Sequence, residues 1–223
     1  RMLYAAYVLG FDNVIVNVTD GYLTEPQLKT LRKMARSLIG AEIVEQNPNK
    51  LTIQFFVDPT KYSVPRLIGR MCNLIKSMLQ HLMLGIVEKQ YHFFPEILEL
   101  EAELDRVYTL SVRQLVLASQ DTSLAKSIGI TPSLVTAYRS IAKSLEDAGD
   151  ALSTAALELN NLDKERLSRL EKASEYFKEA SEMLITIMDR LMRTLMDKNL
   201  ILANRILDAL KEYESYIKKY HML

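Results

Sequence analysis

The stretch SVPRLIGRMCNLIKSMLQHLM, residues 63–83, decides how the chain is read. Val64, Leu67, Met71, Leu74, Met78 and Leu82 recur at spacings of three and four. That period places them on one stripe of an amphipathic helix, expected to run to about Tyr91. Everything before Ser63 reads with mixed periods, and everything after it reads as helix. A proline-punctuated polar linker, DPTKYSVP at 58–65, marks the change.

Upstream, LYAAYVLG at 3–10 is a short helix with Gly10 as its stop. NVIVNV at 13–18 is β-branched and reads as a strand. Thr24 and Gln27 have the spacing of a capping box, and Pro26 is acceptable in a first turn. The helix they open carries Leu28, Leu31, Ala35 and Leu38 on one face and ends at Gly40. AEIVEQ and LTIQFFV flank the turn signal NPNK and predict a hairpin. Residues 1–60 are therefore expected to form a small α+β domain of αβαββ order.

Downstream, a second helix is predicted from Pro95 to about Gln120, and SIGITPS at 127–133 breaks the pattern. A third is predicted over 132–160, a fourth over 162–196 after NNLDKE, and a fifth over 199–219. Short connections between long helices predict antiparallel neighbours in an all-α bundle. The expected division is 61–160 as a three-helix bundle and 161–223 as a helical hairpin, part of a second bundle. Two apolar stripes in a hairpin leave a seam to be covered by a partner chain or by the first bundle, and a homodimer is expected.

Of 223 residues, 48% are hydrophobic and 25% charged, and the charges balance to zero. A core is available, and the balance gives no support to a generally basic nucleic-acid surface, while leaving room for a local patch. One cysteine, Cys72, excludes an internal disulfide framework and fits a reducing, cytoplasmic location. No apolar run of about 18 residues indicates a membrane span, and no signal peptide is visible. The chain opens on Arg1 in what reads as a helix already under way, so it is expected to be a fragment.

The chemistry lies in two acid pairs. In EAELDRVY, residues 101–108, Glu101 and Asp105 stand four apart; in LEDAGDAL, 145–152, Glu146 and Asp150 do the same. On a helical wheel with Ile97 at zero, Glu101 falls near about +40° and Asp105 near about +80°, inside the apolar arc. Glu96, Glu99, Glu103, Arg106 and Arg113 fall on the opposite side. A buried carboxylate costs several kcal/mol unless compensated. A cation, a proton, a basic side chain or an open groove is therefore expected beside the first pair. Glu146 and Asp150 lie opposite the large apolar residues of their helix, beside Arg139 and Lys143, where residues alone describe a solvated face. The small Ala148 and Gly149 leave room for a neighbouring helix. His81, His92 and His221 are scattered, with no Glu-x-x-His pair, no phosphate-binding glycine loop and no evident Ser-His-acid set. Glu171, Glu175 and Glu179, with Lys172 and Lys178, read as a solvated row.

At these residues the chain resembles the PhoU family of phosphate-signalling regulators in its archaeal form. EAELDRVY resembles the family's first acid motif, and AYRSIAKSLEDAGDAL the second. YVLGFDNVIV, LIGAEIVEQ and the hairpin resemble the segment that precedes the helices in archaeal members. The resemblance implies a multinuclear iron or zinc cluster, with Glu101, Asp105, Glu146 and Asp150 as metal ligands. It implies phosphate-transporter components as partners and a non-enzymatic regulator of phosphate uptake. Family members often place His after the second motif's Asp, where this chain has Ala151, and carry a second repeat, for which Asp208 and Glu212 are the candidates here. Archaeal relatives often carry an AbrB-like DNA-binding domain ahead of this region. The alternative expectation is thus the sensing and dimerising part of a transcriptional regulator, without direct nucleic-acid binding by this fragment. A carboxylate-bridged metalloenzyme is disfavoured for want of histidine ligands.

Overall fold

The computed structural model describes residues 1–197 and 200–220. Helices α1 (Met2–Val8) and α2 (Glu25–Arg36) alternate with strands β1 (Asn13–Asn17), β2 (Ala41–Gln46) and β3 (Lys50–Phe55). The antiparallel sheet has the order β1-β3-β2. Seven further helices follow among the described residues: α3 (Val64–Val87), α4 (Phe93–Gln120), α5 (Thr122–Ser127), α6 (Val135–Asn160), α7 (Lys164–Arg169), α8 (Ser174–Asp197) and α9 (Leu200–Tyr220). The expected small α+β region followed by a helical bundle is what the chain forms. The chain groups into two compact units, one of residues 1–68 with 105–144, the other of 69–104 with 145–223. Helices α3, α4 and α6 each contribute to both.

In the first unit the capping box forms as its residues predict: Gln27 Oε1 accepts from the Thr24 amide at 2.9 Å. Gly10 (φ +90°), just past α1, and Gly40 (φ +77°), in the turn between α2 and β2, take left-handed backbone, while α2 ends at Arg36, earlier than Gly40. Leu51, Ile53 and Phe55 of the central strand bury one face of the sheet, and their alternation follows from the two-residue period. Each such side chain contributes about 1.5–3 kcal/mol on burial.

One placement departs from the helical wheel. Arg113 is not on a solvated face: it is 2% exposed. Its Nη1 donates to the carbonyls of Tyr7 (2.6 Å) and Phe11 (3.1 Å), and Nη2 approaches that of Gly10 at 3.5 Å. These carbonyls lie at and just beyond the C-terminal end of α1, where the dipole is negative, and that of Tyr7 also accepts from the Gly10 amide at 3.1 Å. The guanidinium also stands over the rings of Tyr7 and Phe55, 5.1 and 5.8 Å from their centroids. Burial pushes the Tyr7 hydroxyl above its ordinary value, with Arg113 opposing, and the hydroxyl donates to the Ile39 carbonyl at 2.8 Å. Next along the helix, Gln114 is fully buried and donates to the carbonyls of Pro59 and Tyr62 at 2.6 and 2.8 Å.

In the second unit, the part of the predicted α3 stripe that falls there is buried at Met71, Met78 and Leu82. The helix ends at Val87 rather than Tyr91. Lys89 adopts φ +58°, and the Gln90 amide reaches back to the Leu84 carbonyl at 3.1 Å, which satisfies an acceptor at the helix end. Cys72 is buried, and burial pushes its thiol up to about 11, as expected of a core residue. Lys76 Nζ pairs with Asp189 Oδ1 at 2.6 Å, tying α3 to α8. The predicted fourth helix is not continuous: α7 is followed by a 3-10 turn at Leu170–Ala173 and then α8. Asp163 Oδ1 accepts from the Arg166 amide at 2.8 Å and explains where α7 starts; no Gly or Pro explains the tightened turn. α9 lies against α8, with Tyr176 and Tyr216 stacked at 5.2 Å and the Tyr216 hydroxyl donating to Glu179. His221 and the side chains of Glu171 and Lys172 lie outside the described residues.

Candidate functional site

α4 and α6 carry the acid pairs. In the second unit these helices approach closely: a Cβ on Gly149 would collide with Leu104 Cδ2. The small residue at this level, flagged by the sequence, is what lets the α6 backbone reach α4. One residue along, Asp150 brings a carboxylate oxygen within 4.8 Å of one from Glu101. Glu146, Asp147 and Asp150 likewise offer oxygens that all lie within 4.8 Å of one another. Asp105 stands one turn beyond Glu101 on α4, where that helix passes into the first unit.

Asp147 was not among the predicted ligands. The signal was present, because Asp147 stands three residues before Asp150 and so shares its side of the helix. Burial is less than the wheel implied. Glu101 and Glu146 are half-buried, and Asp105, Asp147 and Asp150 are exposed. Of the compensations expected for Glu101 and Asp105, contact with water at the edge of a groove is available. A wheel assumes that a neighbour covers the apolar arc along its whole length, and here the arc is open at its edge.

These side chains supply oxygen only. Carboxylates converging within 4.8 Å suit a hard cation. Zinc prefers nitrogen and sulfur ligands, and the group contains neither. By its donor chemistry the cluster suits a hard cation, and the exposed members leave positions for water.

A small α+β region leading into long helices with carboxylates gathered between two of them defines a helical-bundle protein with a candidate oxygen-donor site. The family model of the PhoU domain matches residues 68–158, from within α3 to near the end of α6. Both acid motifs fall inside the match. No curated protein and no solved structure shows a significant match to the chain. Among the described residues, no helix is long and apolar enough to cross a membrane.

Proposed function

We propose that this chain is a PhoU-family protein and a non-enzymatic regulator of phosphate uptake, acting by binding protein partners, with phosphate-transporter components as its targets. In this reading 1–60 is a small accessory domain, 61–160 the three-helix bundle and 161–223 a partial second bundle. The acid cluster holds iron, with Glu101, Asp105, Glu146 and Asp150 as ligands by family resemblance and Asp147 as an added one. The observation that supports it is the convergence of carboxylate oxygens from α4 and α6 inside the family-matched segment. A bound cation there would fix the two helices and so fix the surface that partners see.

Elemental analysis of protein purified without added metal is the direct test. Iron is expected in the native chain and is expected to be lost in a Glu146→Gln, Asp150→Asn variant. Equal metal content in the two proteins would remove the metal from this reading.

The reading includes a homodimer through α9, where Leu207 and Leu210 are 54% and 40% exposed on one side of the helix. Sedimentation at micromolar concentration is expected to show a dimer that Leu207→Glu, Leu210→Glu converts to a monomer. A native chain that sediments as a monomer would refute it.

A further inference from the structure

The strongest unassigned feature lies in the first unit, on α2. Lys29, Arg32, Lys33 and Arg36 follow one another at i, i+3, i+4 and i+7, so all four stand on one face. All four are exposed. The one acid in the helix is Glu25, in its first turn. Among the described residues, Arg32 donates only to the neutral Gln46 side chain, at 3.0 Å, and Lys29, Lys33 and Arg36 have no ion-pair partner. An ordinary solvated helix interleaves its charges, as α9 does with Lys211 beside Asp208 and Lys218 beside Glu214. α2 does not. In a chain of zero net charge, the stripe is a local excess of positive charge.

Two further observations describe what would meet it. Between α2 and β2 lies a cleft of about 270 Å³, with Ala35, Ala41 and Ile43 as apolar lining and Arg32, Arg36 and Gln46 as donors. β2 is an edge strand; at its start the Ala41 amide donates to the Leu38 carbonyl at 3.3 Å, and beyond Ala41 no backbone bond to its outer side is found among the described residues. A bulge between Ile43 and Glu45 restricts the length of strand it can accept and leaves Val44 49% exposed. Glu42 on the strand side of the cleft favours a partner whose acids face α2 instead.

We propose that the α2–β2 cleft is the docking site for a short, extended, acidic segment of a partner protein. The segment adds as a strand along β2 and lays its carboxylates on the α2 stripe. Lys29 to Arg36 spans about 10 Å of helix axis at about 1.5 Å per residue. Side chains on one face of a strand recur every roughly 6.6 Å. Two or three acids at alternate positions therefore match the stripe, and the arginine forks can bind them in pairs of hydrogen bonds. Backbone pairing supplies affinity and the charges supply register. Nucleic acid would use the charges but not the strand edge, and a membrane surface would require apolar residues beside the stripe, where α2 exposes none. This inference deepens the partner-binding reading by naming the partner's chemistry, and it is independent of the metal.

The test uses the full chain and a fluorescein-labelled octapeptide of alternating Glu and Val. Saturable binding by anisotropy is expected at low salt, with slowed amide exchange in residues 41–46. A Lys33→Glu, Arg36→Glu variant, shown by circular dichroism to be folded, is expected to lose affinity about tenfold or more. A peptide of alternating Lys and Val is expected not to bind. No binding, or binding without slowed exchange in β2, overturns the proposal. Duplex DNA or anionic vesicles held more tightly than the peptide, and released by the same variant, would assign the stripe to phosphates and overturn it as well. Failure of the peptide leaves the regulator reading standing, since that reading is tested by metal content and by partners met elsewhere on the chain.

Discussion

Arg113→Ala is expected to destabilise the first unit by about 3–5 kcal/mol, more than any surface change in the chain. The side chain is buried, and its hydrogen bonds go to main-chain carbonyls at the end of α1. A hydrogen bond from a charged donor contributes about 1.5–3 kcal/mol, and two such bonds are lost together. The carbonyl of Tyr7 lies on the buried side of this contact and loses its charged donor. Contacts with the Tyr7 and Phe55 rings are lost as well. Arg113→Met separates packing from charge, because it keeps most of the aliphatic stem and removes the donors. If the carbonyl bonds dominate, Met is expected to be nearly as damaging as Ala. Urea unfolding followed by circular dichroism reads the loss, and amide exchange in β1 and β3 locates it. A loss below about 1 kcal/mol in both variants would mean that Arg113 is carried by its neighbours rather than holding them.

Arg113 also shows where sequence reading reaches its limit. The wheel sorted α4 correctly at its N-terminal end, where Glu96 and Glu99 are exposed and Ile97 and Leu104 are buried. From Val107 to Leu115 every residue of α4 is buried, including Thr109, Ser111, Arg113 and Gln114. A helix wrapped on all sides has no polar face, and a wheel divides it into one regardless. The signal that a segment from the α+β region would cover that side is non-local: the partners of Arg113 are carbonyls about 100 residues away, and carbonyls have no sequence signature. Local chemistry was legible. The Thr24–Gln27 capping box, the hairpin around Asn47–Lys50 and the methionine stripe of α3 each follow from a rule that needs only a few neighbouring residues. The short α5 escaped because six residues carry too little period. Its cap, Asp121 accepting from the amides of Ser123 and Leu124 at 2.8 and 3.1 Å, was readable in retrospect. In the acid cluster the pairs were legible by spacing, and the level at which α4 and α6 meet was legible through Gly149. Asp147 joins the cluster because a three-residue spacing from Asp150 serves as well as a four-residue one.

The second large effect is expected from metal itself, under the reading that the acid cluster binds iron. A ligand that binds only the folded chain stabilises it by about 2.7 kcal/mol at a free concentration one hundred times its dissociation constant. Thermal unfolding of the native chain is therefore expected to move upward on adding the cation and back on adding a chelator. For a domain of this size each kcal/mol corresponds to about 2–4 °C, so the shift is expected near 5–10 °C. The acid variants separate metal binding from ordinary charge effects. Asp150 is exposed and Glu146 half-buried, and neutralising acids that still reach water changes stability by about 1 kcal/mol or less. In chelator, then, Glu146→Gln, Asp150→Asn is expected to unfold with the native chain. In metal it is expected to stay where it was while the native chain moves. A single measurement in either buffer cannot make this distinction, because a nonspecific cation effect would shift both proteins. Parallel shifts in the two would mean that the cation screens surface charge and is held by no site between these helices. A shift in the native chain alone would require that Glu146 and Asp150 hold the ion, because these two side chains are all that differ between the samples.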